Sequence, residues 1–431
     1  MKTDFIQELT WRRMLHDSMP GTDKLLNSER VSGYIGFDPT ADSLGVGNLV
    51  QVMTLLHFQQ AGHKPFALMG GATGMIGDPS LKSEERSLLS TDTLQANLAG
   101  QKKQLERFLD FSGDGAELVN NYDWFKDIGF LDFIRDAGKH LTVNYMMAKD
   151  SVKNRLTGEN RDGMSFTEFT YQLIQGWDFY WLYKHRGVKL QMGGSDQWGN
   201  ITTGTELIRR KAQGEAYALT TPLIKKADGV KFGKTEKGNV WLDAKRTSPY
   251  EFFQFWLNAS DEDVKNYIRV FTLLDRATIE GLETEHDAAP QNRLLQKTLA
   301  KDITTRVHGK DEVDAALAAT ELLFGKGTVE QLKSLSAEVF ERVFVGAGVP
   351  VADVPRDQLS AGVNVIDLFT EKSQLVASKG EARKLMTANA LSVNKAKVSD
   401  PKQNIGTESL INERYVLLQK GKKDYCLIRA V

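Results

Sequence analysis

The sequence predicts a multidomain α/β protein built on a parallel sheet, and three observations carry that expectation. The chain has 431 residues, more than one simple hydrophobic core organises. Between residues 31 and 74 a short apolar run, a helical stripe and a second apolar run ending in glycines follow one another, the opening of a parallel α/β unit. The final stretch closes in two short alternating runs around a Lys-Gly-Lys-Lys turn, the mark of a small hairpin rather than more parallel sheet.

Taken in order, residues 1–30 read as helix and loop, with Trp11, Met14 and Leu15 near helical spacing. Val31 to Phe37 reads as a strand. Asp38-Pro39-Thr40 ends it, because Pro39 lacks a donor and restricts the residue before it. A helix begins near Gly47 and carries Val50, Met53, Leu55 and Leu56 toward Gln60. Pro65 to Met69 is a second strand. Residues 90–185 read as mostly helical, with a polar helix over Leu94 to Leu109 and an aromatic-rich one over Phe166 to Tyr183. The span from about 85 to 187 is therefore expected to be an insertion between two halves of the sheet. Val188 to Met192 returns to strand, and Thr221 to Ile224 is expected to form another. Ser248 to about Phe324 is helical, 325–361 has the glycine, proline and acid content of a linker with a helix or two, and Tyr415–Leu418 with Tyr425–Ile428 forms the hairpin. The expected boundaries are 1–247, 248–330, a linker over 331–361, and 362–431.

A hydrophobic content of 41% and a charged content of 26% are ordinary for a soluble globular protein. No apolar run approaches the roughly 20 residues that span a bilayer, so no membrane partner is expected. Met1-Lys2-Thr3-Asp4-Phe5 leads into no long apolar stretch, so no secretory leader is expected either. The single cysteine, Cys426, excludes an internal disulfide or a thiolate metal cluster. The seven histidines are scattered without His-Glu-x-x-His spacing, so no protein-held metal is expected. A reducing cytoplasm fits this composition. Net charge is −1, but 362–431 holds 12 Lys and Arg against 7 Asp and Glu, a local +5. That basic segment suits a polyanion, and equally a solvated basic face.

Four motifs carry the chemistry. Gly193-Gly194-Ser195-Asp196-Gln197-Trp198-Gly199-Asn200 supplies an acid and an amide beside glycines. Lys231-Phe232-Gly233-Lys234-Thr235 sets two ammonium groups three residues apart, where both can reach a polyphosphate or form a solvated lysine turn. Gly70-Gly71-Ala72-Thr73-Gly74-Met75-Ile76-Gly77-Asp78-Pro79 lacks the Gly-Lys-Ser/Thr ending of a Walker loop. Its glycines allow close approach of a ligand or simply turn the chain, and Asp78 can take an ammonium group or cap a helix. Tyr171, Gln175 and Asp178 share one helix face by their spacing of four and three. A buried carboxylate there needs a partner, and an amino acid with an ammonium at one end and a phenol at the other would satisfy all three. A solvent-facing polar stripe is the other reading of the same spacing.

These residues bring a family into view. With Tyr34-Ile35-Gly36-Phe37-Asp38-Pro39-Thr40-Ala41-Asp42-Ser43-Leu44 and Ser165-Phe166-Thr167-Glu168-Phe169 added, the chain resembles bacterial tyrosyl-tRNA synthetase, a class I enzyme, along essentially its full length. The resemblance implies a Rossmann-like parallel-sheet catalytic domain over 1–247 with an inserted dimer-forming region. It further implies a helical anticodon-binding domain over 248–330 and a small α+β S4-like RNA-binding domain over 362–431. It implies formation of tyrosyl-adenylate from L-tyrosine and ATP accompanied by Mg²⁺, then transfer to tRNA(Tyr), by a homodimer. By matching position, Tyr34 and Asp178 would hold the phenol, Asp78, Tyr171 and Gln175 the ammonium, and Gln197 the carboxylate, with Asp38 near the reacting groups. Gly36, Gly47, Asn48, Gly194 and Asp196 would approach the nucleotide. Thr40, Lys82, Arg86, Lys231, Lys234 and Thr235 would serve the phosphates. Arg383, Lys384, Lys395, Lys397 and Lys422 are the candidates for RNA phosphate contacts.

One departure stands out. Where the family carries His-x-Gly-His, this chain has Gly45-Val46-Gly47-Asn48. Asn48 still offers an amide donor; Gly45 offers no side chain. Loss of one transition-state contact of this kind costs roughly 10²–10³ in rate. The alternative to an active ligase is thus a weakened or inactive synthetase-like protein that keeps RNA or tyrosine binding.

Overall fold

The computed structural model describes residues 4–80, 89–150, 152–153, 164–229, 232–235, 238–324, 328–421 and 424–431. The chain divides into two compact units, Met1–Asp243 with Ala259–Leu299, and Ala244–Asn258 with Ala300–Val431.

The first unit is organised by a six-stranded sheet in the order β1-β6-β5-β2-β3-β4. Its strands are β1 (Asp17–Ser18), β2 (Ser32–Phe37), β3 (Lys64–Met69), β4 (Glu117–Asn120), β5 (Val188–Gly194) and β6 (Tyr217–Thr221). β2 to β6 run parallel and the short β1 is antiparallel at one edge. From β2 the chain winds outward through β3 and β4, then returns to the other side of β2 for β5 and β6. That reversal is the switch point of a doubly wound sheet, and ligands bind beyond the carboxyl ends of the strands there. A small hairpin, β7 (Lys234–Thr235) with β8 (Gly238–Asn239), follows.

Four helices position the site: α1 (Leu49–Gln60), α2 (Thr91–Leu105), α3 (Phe166–Arg186) and α4 (Trp198–Ala212). α1 is buried along nearly its whole length, as its continuous apolar run requires. Ser165 caps α3 and completes a capping box with Glu168, while Lys184, His185 and Arg186 occupy its last turn, where cations suit the helix dipole. α3 packs Trp177, Phe179 and Leu182 into one core with Tyr34, Phe66 and Leu68 of the sheet.

Two expectations about this unit need correcting. The span from about 85 to 187 is not wholly apart from the sheet, because β4 pairs with β3 from Phe66↔Glu117 to Met69↔Asn120. Its four residues set Leu118 and Val119 side by side between Glu117 and Asn120, so they lack the apolar alternation that announces a strand. The strand expected at Thr221 to Ile224 lies earlier, at Tyr217–Thr221; Pro222 has no N–H to continue the ladder.

In the second unit, the helices Pro249–Leu257, Lys310–Phe324 and Ala337–Phe344 lead into β9 (Val351–Val354), β10 (Val363–Asn364), β11 (Leu391–Val393), β12 (Ala396–Lys397), β13 (Asn404–Ile405), β14 (Tyr415–Lys420) and β15 (Asp424–Ala430). The expected hairpin is β14–β15, in register from Tyr415↔Arg429 to Lys420↔Asp424. The stretch 331–361 is more than a linker. β9 pairs parallel with β15, and Phe340 and Phe344 join one core with Tyr415 and Leu417. Among the described residues no helix is long and apolar enough to cross a membrane.

Candidate active site

At the switch point of the first unit a cavity of about 300 Å³ opens beyond the ends of β2 and β5. Tyr34, Gly36, Asp38, Thr40, Gly47, Asn48, Asp78, Tyr171, Gln175, Asp178, Gly194, Asp196 and Gln197 all line it. Residues spread over more than 160 positions of sequence therefore converge on one space.

The buried end is built around Asp178, 1% exposed on α3. Its Oδ2 accepts from Asn121 Nδ2 at 3.0 Å and its Oδ1 from Trp124 Nε1 at 2.9 Å. Burial raises its pKa to about 8, against those two hydrogen bonds, and nearby Asp38 pushes the same way. Trp124 is itself held flat against Trp181, with ring centroids 4.3 Å apart. Tyr34 stands on β2 with its ring edge-on to Phe179. Burial first, then the charge of Asp178, lifts its phenol well above the ordinary range. Its Oη is buried and has no hydrogen-bond partner among the described residues. Gln191, the strand partner of Tyr34 on β5, likewise has a buried, unpartnered Oε1. Buried polar atoms are normally paired, so these two mark a place for a polar ligand group.

Next comes a relay of polar side chains. Tyr171 Oη donates to Asp38 Oδ2 at 3.0 Å, and Thr73 Oγ1 donates to Asp38 Oδ1 at 2.7 Å. Burial and then Asp38 raise the Tyr171 phenol well above its usual value. Gly70 makes this contact possible: a Cβ there would lie 2.2 Å from Asp38 Oδ1. Asp78 accepts from Gln197 Nε2 at 2.7 Å and from the Ser80 N–H at 2.9 Å. Gln197 in turn accepts from Asn200 at 3.2 Å. Acid, amide and phenol here can grip an ammonium and a carboxylate together.

The rim is different. Gly36, Thr40, Gly47 and Asn48 are exposed. Asn48 Oδ1 accepts from the Gly45 N–H at 3.0 Å, so part of its amide serves to close its own turn. The hairpin β7–β8 packs here too: a methyl on Gly233 would stand 2.8 Å from Val46 Cγ2, and Phe232 stacks on Phe271. Lys234 and Thr235 are exposed on that hairpin and do not line the cavity. Lys82, Arg86, Lys231 and Lys422 lie outside the described residues.

Thr73, Asn121, Trp124, Gln191 and Gln51 were not singled out in the sequence. Gln51 Nε2 donates to Thr221 Oγ1 at 2.9 Å and its Oε1 is buried without a partner. A buried-strand amide between Leu190 and Met192 was the available signal for Gln191. Asn121 and Trp124 follow a strand the sequence concealed.

In the second unit Arg383, Lys384 and Lys397 are exposed. Lys395 is not a free surface cation. Its Nζ donates to Tyr425 Oη at 3.1 Å and lies over that ring, and burial, then Lys397, lowers its pKa.

A cavity at the switch point of a doubly wound sheet, with glycines at its rim and an acid at its base, defines a nucleotide-site α/β protein of the Rossmann class. Comparison with known proteins narrows this. The family described as tRNA synthetases class I (W and Y) matches residues 26–325, and the tyrosine--tRNA ligase SYY-like C-terminal domain matches 345–428. The tyrosine--tRNA ligase of Bacteroides fragilis is 59% identical over 99% of this chain and 100% of its own, and that of Porphyromonas gingivalis 58% over 99% of each. A C-terminally truncated Aspergillus nidulans mitochondrial tyrosyl-tRNA synthetase superposes with TM-score 0.67 at 32% identity, covering 75% of this chain and 94% of that one. The chain belongs to the tyrosine--tRNA ligase family of class I tRNA synthetases.

Proposed function

We propose that this chain activates L-tyrosine with ATP and transfers the tyrosyl group to tRNA(Tyr). The observation that carries the reading is the unpartnered Tyr34 hydroxyl beside buried Asp178 at the base of the cavity. The two groups suit a phenol and penalise a bare aromatic ring, which would leave the Tyr34 hydroxyl unpaired and give Asp178 no partner beyond Asn121 and Trp124. Asp78, Tyr171 and Gln175, which line the same cavity, are then assigned to the substrate ammonium, Gln197 to its carboxylate, and Asp38 to the neighbourhood of the reacting groups. Gly36, Gly47, Asn48, Gly194 and Asp196 are assigned to the nucleotide. Thr40, Lys82, Arg86, Lys231, Lys234 and Thr235 are assigned to its phosphates.

In the first step a tyrosine carboxylate oxygen attacks the α-phosphorus of ATP. A new P–O bond forms as the bond to the β-phosphate oxygen breaks, and pyrophosphate leaves with that electron pair. No enzyme group is covalently modified. The chain contributes in-line placement and stabilisation of the spreading charge. Mg²⁺ enters with ATP; among the described residues no group of three His, Cys, Asp or Glu is arranged to hold a metal. In the second step the terminal ribose hydroxyl of tRNA takes the tyrosyl group and AMP leaves.

A homodimer is supported by large apolar side chains exposed between β4 and β5: Phe130 at 66%, Leu131 at 79%, Val143 at 59% and Phe166 at 64%. The exposed cations Arg383, Lys384 and Lys397 are assigned to RNA phosphates, in a cytoplasmic protein. Gly45 and Asn48 favour a second reading, in which activation is slow and binding is the retained use. Tyrosine-dependent exchange of labelled pyrophosphate into ATP, without tRNA, separates the two. Clear exchange supports the ligase; its absence in folded protein that binds tyrosine supports the second reading.

A further inference from the structure

The segment from Asp38 to Val46 joins β2 to the turn before α1 and brings Asp38, Thr40 and Gly45 to the cavity region. It is irregular, so its backbone groups need partners from elsewhere. On one flank α2 supplies them. Asn97 Nδ2 donates to Pro39 O at 2.8 Å. Gln101 Nε2 donates to Ala41 O at 3.0 Å and to Asp38 O at 3.3 Å. Gln104 accepts from the Leu44 N–H at 2.8 Å and donates to Ser43 Oγ at 2.9 Å. All three amides are buried, and their spacing of four and three puts them on one helix face. Gly100, on the same helix, allows the close approach: a Cβ there would stand 2.0 Å from Asp42 O. On the other flank Leu44 O accepts from the Leu242 N–H and Val46 N–H donates to Val240 O, in the segment that follows the hairpin of Lys234.

We infer that Asn97, Gly100, Gln101 and Gln104 are positioning residues for the nucleotide half of the reaction, setting Thr40 and the Gly45–Asn48 turn against the cavity without touching substrate. The inference rests on the functional reading above. Two features give it direction. With glycine at 45, no side chain at that position can reach back if the turn is displaced. The Asp38 carboxylate, by contrast, is anchored separately by Thr73 and Tyr171. Slackening the amide ladder therefore disturbs the rim and spares the amino-acid end.

The test uses the full-length protein and its variants Gln104→Leu, Gln104→Glu and Gly100→Ala. Pyrophosphate exchange is measured with ATP titrated, tyrosine binding by equilibrium dialysis without ATP, and melting on the same samples. Gln104→Leu removes both hydrogen bonds, while Gln104→Glu keeps an acceptor for the Leu44 N–H. In Gln104→Leu, kcat/KM for ATP is expected to fall roughly 10- to 100-fold while tyrosine affinity stays within about twofold. Gln104→Glu is expected to recover much of that loss, and Gly100→Ala to resemble Gln104→Leu. Should Gly100→Ala fail to fold, the near-isosteric Gln104→Leu carries the test. Equal losses for ATP and tyrosine that track the melting midpoint, or no loss at all, overturn the inference alone. A wild-type protein without exchange overturns the functional reading, and this inference with it.

Discussion

At the base of the cavity, a carboxylate, a phenol and an amide are sealed among aromatic rings. At the rim, the chain offers glycines, an exposed threonine and an asparagine that caps its own turn. The base spends its polarity on buried groups that have no water to fall back on, so a change at Asp178 strands the donors that hold it. The rim is wet, and replacing a side chain there removes one contact without stranding another. Asp178 is held at the base by Asn121 and Trp124, and the Tyr34 hydroxyl beside it is left open for a ligand group.

The largest effect is expected from Asp178→Ala. It strands the Asn121 and Trp124 donors, at about 1–3 kcal/mol each, and removes the group proposed to face the substrate phenol. Exchange kinetics should show kcat/KM for tyrosine reduced roughly 10³-fold or more, and a loss nearer tenfold would mean that the base is less sealed than its burial implies. The same group sets a pH dependence. The Asp178 pKa is raised from 3.8 to about 8, so the folded protein holds a proton that the unfolded chain releases. Its stabilising contribution is complete below pH 4 and is lost as pH rises toward 8, with a slope of at most about 1.4 kcal/mol per pH unit. Melting midpoints of the ligand-free protein should follow that fall, and Asp178→Asn should flatten it; parallel curves for the two proteins would place the proton elsewhere.

Gly45→His probes the rim. Gly45 is extended, with φ −92° and ψ 167°, and a Cβ there would have Val240 O as its nearest neighbour at 3.4 Å. The substitution should fold and raise the exchange kcat by roughly tenfold with tyrosine affinity unchanged. No gain would show that the clasped turn already supplies what a side chain there could add.

Tyr34→Phe should weaken tyrosine binding roughly fivefold, about 1 kcal/mol, yet leave the melting midpoint level or slightly higher, because it deletes a buried hydroxyl that has no partner. A drop in stability would mean the hydroxyl is bonded in solution. The smallest effect belongs to the basic surface. Lys384→Ala should lower the salt slope of tRNA binding by about one and leave exchange untouched. Lys395→Ala, from a cation already bonded to Tyr425, should chiefly lower the melting midpoint of the second unit.

Much of this was legible in advance. Tyr171, Gln175 and Asp178 announce themselves by helical spacing, and α3 bears its start signal in Ser165 and Glu168. The hairpin β14–β15 follows from alternation. β4 was not legible, because a four-residue edge strand with its two apolar residues adjacent has no alternation to read, and its loss hid Asn121 and Trp124 with it. β9 was hidden for a related reason: four residues in a glycine- and proline-rich stretch become a strand only because β15 is there to pair with.

The sequence by itself determined the α/β class, the helical faces and the chemical types available at the site, because these depend on local periodicity and on residue identity. Only the tertiary structure decided that Asn121 and Trp124 would hold Asp178, that Gln191 would stand beside Tyr34, and that Asn97, Gln101 and Gln104 would clasp the loop from Asp38 to Val46. Those pairings join groups far apart along the chain. Their partners are chosen by strand order and helix packing, which no local window contains.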